Sequence, residues 1–251
     1  MKKLAVITPA YKDENLITAC INQFKTFGLR HLILVSAKPW GGITPKGEDF
    51  TATIAKKLGA EVHVQYWPDE VAQRNWGLAY LYDYDYVITV DADEFFTQKD
   101  IQRMIDVLNN TDEPCYRAPN IKTYWKTSEY RYEPGDQHEP IIAVNPKKCR
   151  FYDCRHLAKI DDNVPEMYQP IMPIQMYHFS WVRPDARIDE KLDIFSNILD
   201  IKDNWYQDIW LKWVPEDTEN VRPYGKEKSK IIKDPAPDEI IDLYKKSIAC
   251  I

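Results

Sequence analysis

Three carboxylates stand within four residues at Asp91-Ala92-Asp93-Glu94, directly after the apolar, β-rich run of residues 86–90. A strand that ends in two aspartates one residue apart carries them to its C-terminal end. In open α/β sheets that edge is where ligands bind. Carboxylates this close repel one another, and a cation relieves the repulsion. Oxygen-rich clusters of this kind suit Mg²⁺ or Mn²⁺ held together with a substrate phosphate. The same residues also suit an acidic strand-to-helix turn, with Asp93 or Glu94 as a helix N-cap.

The elements around the cluster follow from apolar spacing. Residues 3–8 read as a buried strand that stops at Thr8-Pro9. Leu16, Ile17, Cys20, Ile21, Phe24 and Phe27 recur at helical spacing over 13–27, and Gly28 can end that helix. Residues 31–36 predict a second strand, 50–58 a helix, 61–66 a strand and 70–82 a helix carrying Arg74, Asn75 and Trp76. The strand of 86–90 and a helix over 98–109 follow. This alternation predicts an α/β fold, a mostly parallel sheet with helices on both faces.

Beyond residue 110 the rhythm changes. Strands are expected at 115–124 and 139–152, with a loop rich in Tyr, Pro and Gly between them, and at 174–181. Residues 185–213 read as one long helical segment, and an amphipathic helix starts near Asp238. The expected organisation is one continuous domain in two halves, 1–110 and 111–251.

The 251 residues carry a net charge of −6, with 44% hydrophobic residues, and fall in the globular range. The acidic balance argues against a protein that coats nucleic acid by bulk charge. The five cysteines are odd in number and form no C-x-x-C pair, which fits free thiols in the cytoplasm rather than zinc or disulfides. The apolar N-terminal run is too short for a signal peptide, and no segment has the length of a membrane span.

Three ordered motifs now stand together: Thr8-Pro9-Ala10-Tyr11 after the first strand, Arg74-Asn75-Trp76-Gly77 on a helix, and Asp91-Ala92-Asp93 after a later strand. The chain resembles a glycosyltransferase of the GT-A fold, in the family-2-like group, over residues 3–97. The resemblance implies a nucleotide-sugar donor, a UDP-sugar foremost, and a hexosyl transfer that inverts the anomeric centre. It implies that Thr8, Ala10 and Tyr11 hold the base and that Arg74 and Asn75 approach the donor. Asp91 would contact ribose or metal, and Asp93 would hold Mn²⁺ or Mg²⁺. Relatives have an acidic residue after the second strand; here Ser36 or Trp40 stands in its place. His178 resembles the late histidine that completes the metal site in several members, and imidazole suits Mn²⁺. The Asp-Ala-Asp-Glu variant resembles a subgroup acting on cell-surface polysaccharides, so the implied acceptor is a glycan or polysaccharide precursor.

An inverting transferase needs a base for the acceptor hydroxyl. Asp153, Glu139 and His156 are the candidates, and spacing does not choose among them. Residues 115–159 hold nine basic residues (Arg117, Lys122, Lys126, Arg131, Lys147, Lys148, Arg150, Arg155, Lys159) against five acidic ones (Glu129, Glu133, Asp136, Glu139, Asp153). Aromatics are interleaved with them. Such a stretch suits an anionic glycan, or the bases and phosphates of nucleic acid, as in a phage-type DNA glycosyltransferase acting on a hydroxymethylated base. A further alternative is a nucleotide-binding module or nucleotidyltransferase, against which stands the absence of glycine from residues 8–15.

Overall fold

The computed structural model describes all residues except 41–46, 119–120, 136–138, 154–156, 161–168, 195–200, 220, 224–229 and 249–251. In the first half, β1 (Leu4–Ala10), α1 (Ile17–Lys25), β2 (Arg30–Ser36), α2 (Thr51–Lys57) and β3 (Glu61–Gln65) follow one another. They are succeeded by α3 (Glu70–Tyr80), β4 (Tyr86–Thr89), the two-residue β5 (Glu94–Phe95) and α4 (Gln98–Asn109). Every residue of β1 and β4 is buried, because the sheet is covered on both faces. Alternate β1 side chains show it. Leu4 and Val6 pack with Cys20 and Phe24 of α1 and with Met104 and Leu108 of α4. Ala5 and Ile7 pack on the opposite face with Leu78 of α3.

Gly77 lets α3 come close. A Cβ there would sit 2.9 Å from Leu34 Cδ1 and 3.3 Å from Ile7 Cδ1. Helix starts are fixed by caps: Asp69 accepts from the Ala72 N–H for α3, and Thr97 from the Asp100 N–H for α4.

The second half contributes β6 (Cys115–Arg117), β7 (Ile121–Trp125), β8 (Tyr130–Glu133), β9 (Ile141–Val144), β10 (Cys149–Asp153) and β11 (Leu157–Ile160). Then come β12 (Met176–Trp181), α5 (Asp185–Ile194), β13 (Lys230–Lys233) and α6 (Asp238–Ile248). The main sheet runs β3-β2-β1-β4-β9-β6. Its first four strands are parallel, and β9 and β6 join antiparallel, so the sheet is mixed. A second sheet runs β13-β8-β7-β12-β5, and β10-β11 form a two-stranded ribbon.

Four expectations change. The strand predicted over 115–124 is two strands, β6 in the main sheet and β7 in the second. The segment between the predicted strands contains β8, whose Tyr132 points into the core at 1% exposure. The strand predicted over 139–152 is two strands, β9 and β10. The long helix predicted over 185–213 is instead α5, which ends at Ile194, and a separate π-type turn at Tyr206–Trp210. That turn feeds a core of its own, in which Trp125, Trp181, Trp205 and Trp210 meet Tyr132, Ile188 and Ile231.

Cys20, Cys115 and Cys149 are buried and free. His31 is buried too, with Nε2 2.9 Å from Thr8 Oγ1. Burial pushes its pKa down to about 3, so the fold holds it neutral. An unfolded chain protonates the same ring near pH 6.5. This group's contribution is therefore complete above pH 6.5 and is lost as pH falls from there towards 3, at about 1.4 kcal/mol per pH unit. Thermal unfolding between pH 7.5 and 4.5 checks this. His31→Gln is expected to have the flatter profile, and parallel profiles would assign the pH dependence to other groups.

Candidate active site

Parallel pairing of β1 with β4 brings their C-terminal ends to one edge, with Val90 N–H donating to Ile7 O at 3.1 Å. The turn Asp91–Glu94 is built there. Glu94 N–H donates to Asp91 O (3.0 Å), and the Glu94 carboxylate accepts from Asp91 N–H (2.9 Å). Glu94 thus shapes the turn; the helix N-cap is Thr97. Gln23, fully buried on α1, fixes the backbone beyond the turn. Its amide donates to Glu94 O (3.0 Å) and accepts from Phe96 N–H (3.0 Å). Strand β12 is stitched on by Phe179 N–H to Asp93 O (2.7 Å) and by pairing of His178 with Glu94.

The carboxylates are met by cations of the chain itself. Asp91 Oδ1 accepts from Arg74 Nη2 at 2.6 Å. Arg74, 1% exposed, is held by Glu70 (2.7 and 2.9 Å) and Thr89 Oγ1 (2.9 Å). Arg183 bridges two buried acids, Asp13 Oδ1 at 2.8 Å and Asp93 Oδ2 at 2.9 Å. Lys191 Nζ lies 3.7 Å from Asp93 Oδ2, and His178 Nε2 lies 3.5 Å from Asp93 Oδ1. Burial alone would raise the Asp93 carboxyl, but His178, Lys191 and Arg183 more than offset it and hold it well below the carboxylate range. Asp13 is raised by burial, which outweighs Arg183. Burial, with Arg183 adding to it, lowers Lys191 to about 8. Arg187 donates to the Lys12 carbonyl and pairs with Glu190, and Lys12 Nζ lies 3.5 Å from Glu190.

The residues singled out from sequence fall in several places. Asp91, Asp93 and His178 gather at the edge. Arg74 sits behind Asp91 and orients it. Thr8 turns inward, onto His31 and Cys20 Sγ (3.5 Å). Ala10 is buried at the end of β1, and half-buried Tyr11 donates its N–H to Asp13 Oδ2 at 3.1 Å. Ser36 Oγ donates to Lys38 O (2.6 Å), closing the turn after β2, and Trp40 Nε1 donates to Gln73 Oε1 (2.8 Å). Asn75 grips β10 instead of facing the edge: its amide donates to Phe151 O (2.9 Å) and accepts from Phe151 N–H (2.8 Å). Among the candidate bases, Glu139 is paired with Arg117, Asp153 ends β10, and His156 lies outside the described residues.

Arg183, Arg187 and Lys191 were not singled out from sequence. Their spacing of four was the available signal, since residues four apart share a helix face.

A divalent ion needs oxygen or nitrogen lone pairs converging on one point. Here Asp91 Oδ1 and Asp93 Oδ2 already accept from guanidinium groups. Among the described residues no three His, Cys, Asp or Glu side chains form a group that could hold a metal. The expected trio of Asp91, Asp93 and His178 is therefore not assembled as a ligand set, and this donor arrangement does not fit Mn²⁺ or Mg²⁺.

The basic, aromatic stretch also reads differently in three dimensions. Tyr124, Trp125 and Tyr132 are core residues, 0–1% exposed. Arg117 pairs with Glu139, Lys122 and Arg131 with Asp234, Lys126 with Asp185 and Lys147 with Asp85. Buried rings cannot stack on bases, so the aromatic part of the motive for a nucleic-acid acceptor is removed for these residues.

No helix among the described residues is long and apolar enough to cross a membrane. No protein-family model matches the chain. An uncharacterized glycosyltransferase of Rickettsia typhi is 27% identical over 153 residues, which are 61% of this chain and 47% of that protein. The match thus spans about half of that relative's length. Solved structures with local similarity include S. aureus TarS 1-349 (19% identity, 50% of this chain and 36% of that one, TM-score 0.34), also solved with UDP. Another is the Pyrobaculum calidifontis mannosyltransferase PcManGT with GDP-Man and Mn²⁺ (12% identity, 57% and 44% coverage, TM-score 0.40). The resemblance carried by Thr8–Tyr11, Arg74–Gly77 and Asp91–Asp93 agrees with the sequence relative, an uncharacterized glycosyltransferase.

Proposed function

We propose that the chain is a glycosyltransferase that moves a sugar from a nucleoside-diphosphate sugar, a UDP-sugar foremost, to a hydroxyl of a glycan or polysaccharide precursor. The observation that carries this is the Asp91-Ala92-Asp93 turn at the C-terminal edge of a parallel sheet, faced by Arg183 and by Lys191 of α5. The Rickettsia typhi relative supports the same class. In the transfer the acceptor oxygen bonds to the anomeric carbon while that carbon's bond to the diphosphate breaks. The acceptor proton passes to a base, and negative charge gathers on the leaving diphosphate. The family-2 resemblance supports inversion. Fixed N–H donors of low mobility suit that developing charge.

A thermal-shift screen of UDP, GDP and TDP tests the donor site. One nucleotide is expected to stabilise the protein, by about 2.7 kcal/mol at a hundredfold excess over its Kd. The corresponding nucleotide sugar should then be turned over, releasing nucleoside diphosphate. Release of pyrophosphate from a nucleoside triphosphate would show nucleotidyl transfer instead and end this reading.

A further inference from the structure

Arg183, just before α5, and Arg187 and Lys191 on it are paired with Asp13, Asp93, Glu14 and Glu190, yet they keep N–H donors that no described acceptor meets. Arg183, Arg187 and Lys191 recur every four residues, the latter two on one face of the helix. Arg183 Nε and Arg187 Nε are buried and have no hydrogen-bond partner among the described residues. An ammonium has three N–H donors. Two of those on Lys191 reach Ser180, at O (3.1 Å) and Oγ (2.6 Å). Its paired carboxylate oxygen, Asp93 Oδ2, is at 3.7 Å, beyond hydrogen-bond length. Cationic donors clustered in this way call for acceptor oxygens from outside the chain. A metal would need the reverse, lone pairs without donors, yet Asp93 Oδ2 and Asp91 Oδ1 already accept from arginine.

The geometry points to Arg183, Arg187 and Lys191 as the seat of the donor's diphosphate, so that nucleotide binding requires no divalent cation. This rests on the nucleotide-sugar reading above. Arg187 keeps 23% of its side chain open and Lys191 19%, against 8% for Arg183, so the anion meets Arg187 and Lys191 before Arg183. Arginine forks suit phosphate oxygens, and lysine adds a point charge. Asp93 and Asp13 then act as positioning residues. They hold Arg183 in place and limit the repulsion between Arg183 and Lys191.

The test is isothermal titration of the intact chain with UDP and GDP, in excess EDTA and again with Mn²⁺. One nucleotide is expected to bind with the same Kd in both buffers. Lys191→Met is expected to weaken it by about 10- to 100-fold, the worth of a charge-assisted hydrogen bond, and Lys191→Arg to restore most of the loss. The EDTA arm uses unaltered protein, so it stands even if Lys191→Met folds poorly. Binding that appears only with Mn²⁺ overturns this inference and leaves the donor reading intact. A Lys191→Met Kd equal to the unaltered protein's also overturns it. No binding of either nucleotide in either buffer overturns the donor reading and this inference together.

Discussion

Asp93→Ala is expected to lose both turnover and stability, and the two losses separate in a double substitution. Asp93 is fully enclosed, and Arg183, Lys191 and His178 all lean on it. Removing one partner of a buried ion pair leaves charge uncompensated and costs about 3–5 kcal/mol. For a chain of this size that lowers Tm by about 10 °C. Turnover of the nucleotide sugar should fall by about 10²–10³-fold, as when one fixed electrostatic contact is removed from a reacting centre. Arg183→Met combined with Asp93→Ala removes both charges of the pair, and Asp13, whose carboxyl burial already raises, takes up a proton in place of its lost guanidinium partner. The double variant should recover part of the lost stability, because the two sites share one interaction, and recover none of the turnover. Calorimetry and product assays on these two variants and the unaltered protein check this. A double variant no more stable than Asp93→Ala would mean that the ion pair does not hold the edge together.

The second large effect is expected far from the carboxylates. Trp125→Ala should destabilise the protein by about 3–5 kcal/mol, the range for truncating a buried aromatic. Trp125 is fully buried, with ring centroids 4.8 Å from Trp210, 5.6 Å from Tyr132 and 5.9 Å from Trp205. Ile188 of α5 packs in the same cluster, so emptying it loosens the helix that carries Arg187 and Lys191. Nucleotide binding should weaken although no residue of the edge has changed. Trp125→Phe should cost well under half as much, since it keeps a ring and removes an indole N–H that has no partner. Chemical denaturation of the two variants decides this, and equal losses for Phe and Ala would point to the indole itself rather than its bulk.

The first half of the fold was largely readable because its signals are local. Apolar runs bounded by Thr8-Pro9, Gly28 and Gly59 place β1, α1, β2 and α2 within a few residues of their observed limits. The second half hides its signals. Tyr130–Glu133 alternates like a strand, but it pairs with the preceding β7 only through Arg131 opposite Tyr124, and its full ladder is with β13, about a hundred residues away. Trp205, Trp210 and Trp213 follow no helical period, since they serve a π-type turn and not a continuous helix. The same division applies to the site. Asp91 and Asp93 announce themselves by adjacency. Their counter-charges do not, because Arg183 reaches Asp93 across 90 positions and Asp13 across 170. The sequence therefore offered carboxylates with no visible partner, and a metal ion was the natural expectation. The structure places arginine and lysine there instead.

Arg74 and Asn75 are neighbours on α3, yet one orients Asp91 and the other clasps Phe151 of the β10–β11 ribbon. An isolated two-stranded ribbon is marginal in water. Its order is borrowed from the helix. A single turn of α3 therefore serves two places at once, the carboxylate edge through Arg74 and the ribbon through Asn75. The Phe151 N–H is tied to the main body through that one amide, so Asn75→Ala should quicken its hydrogen exchange.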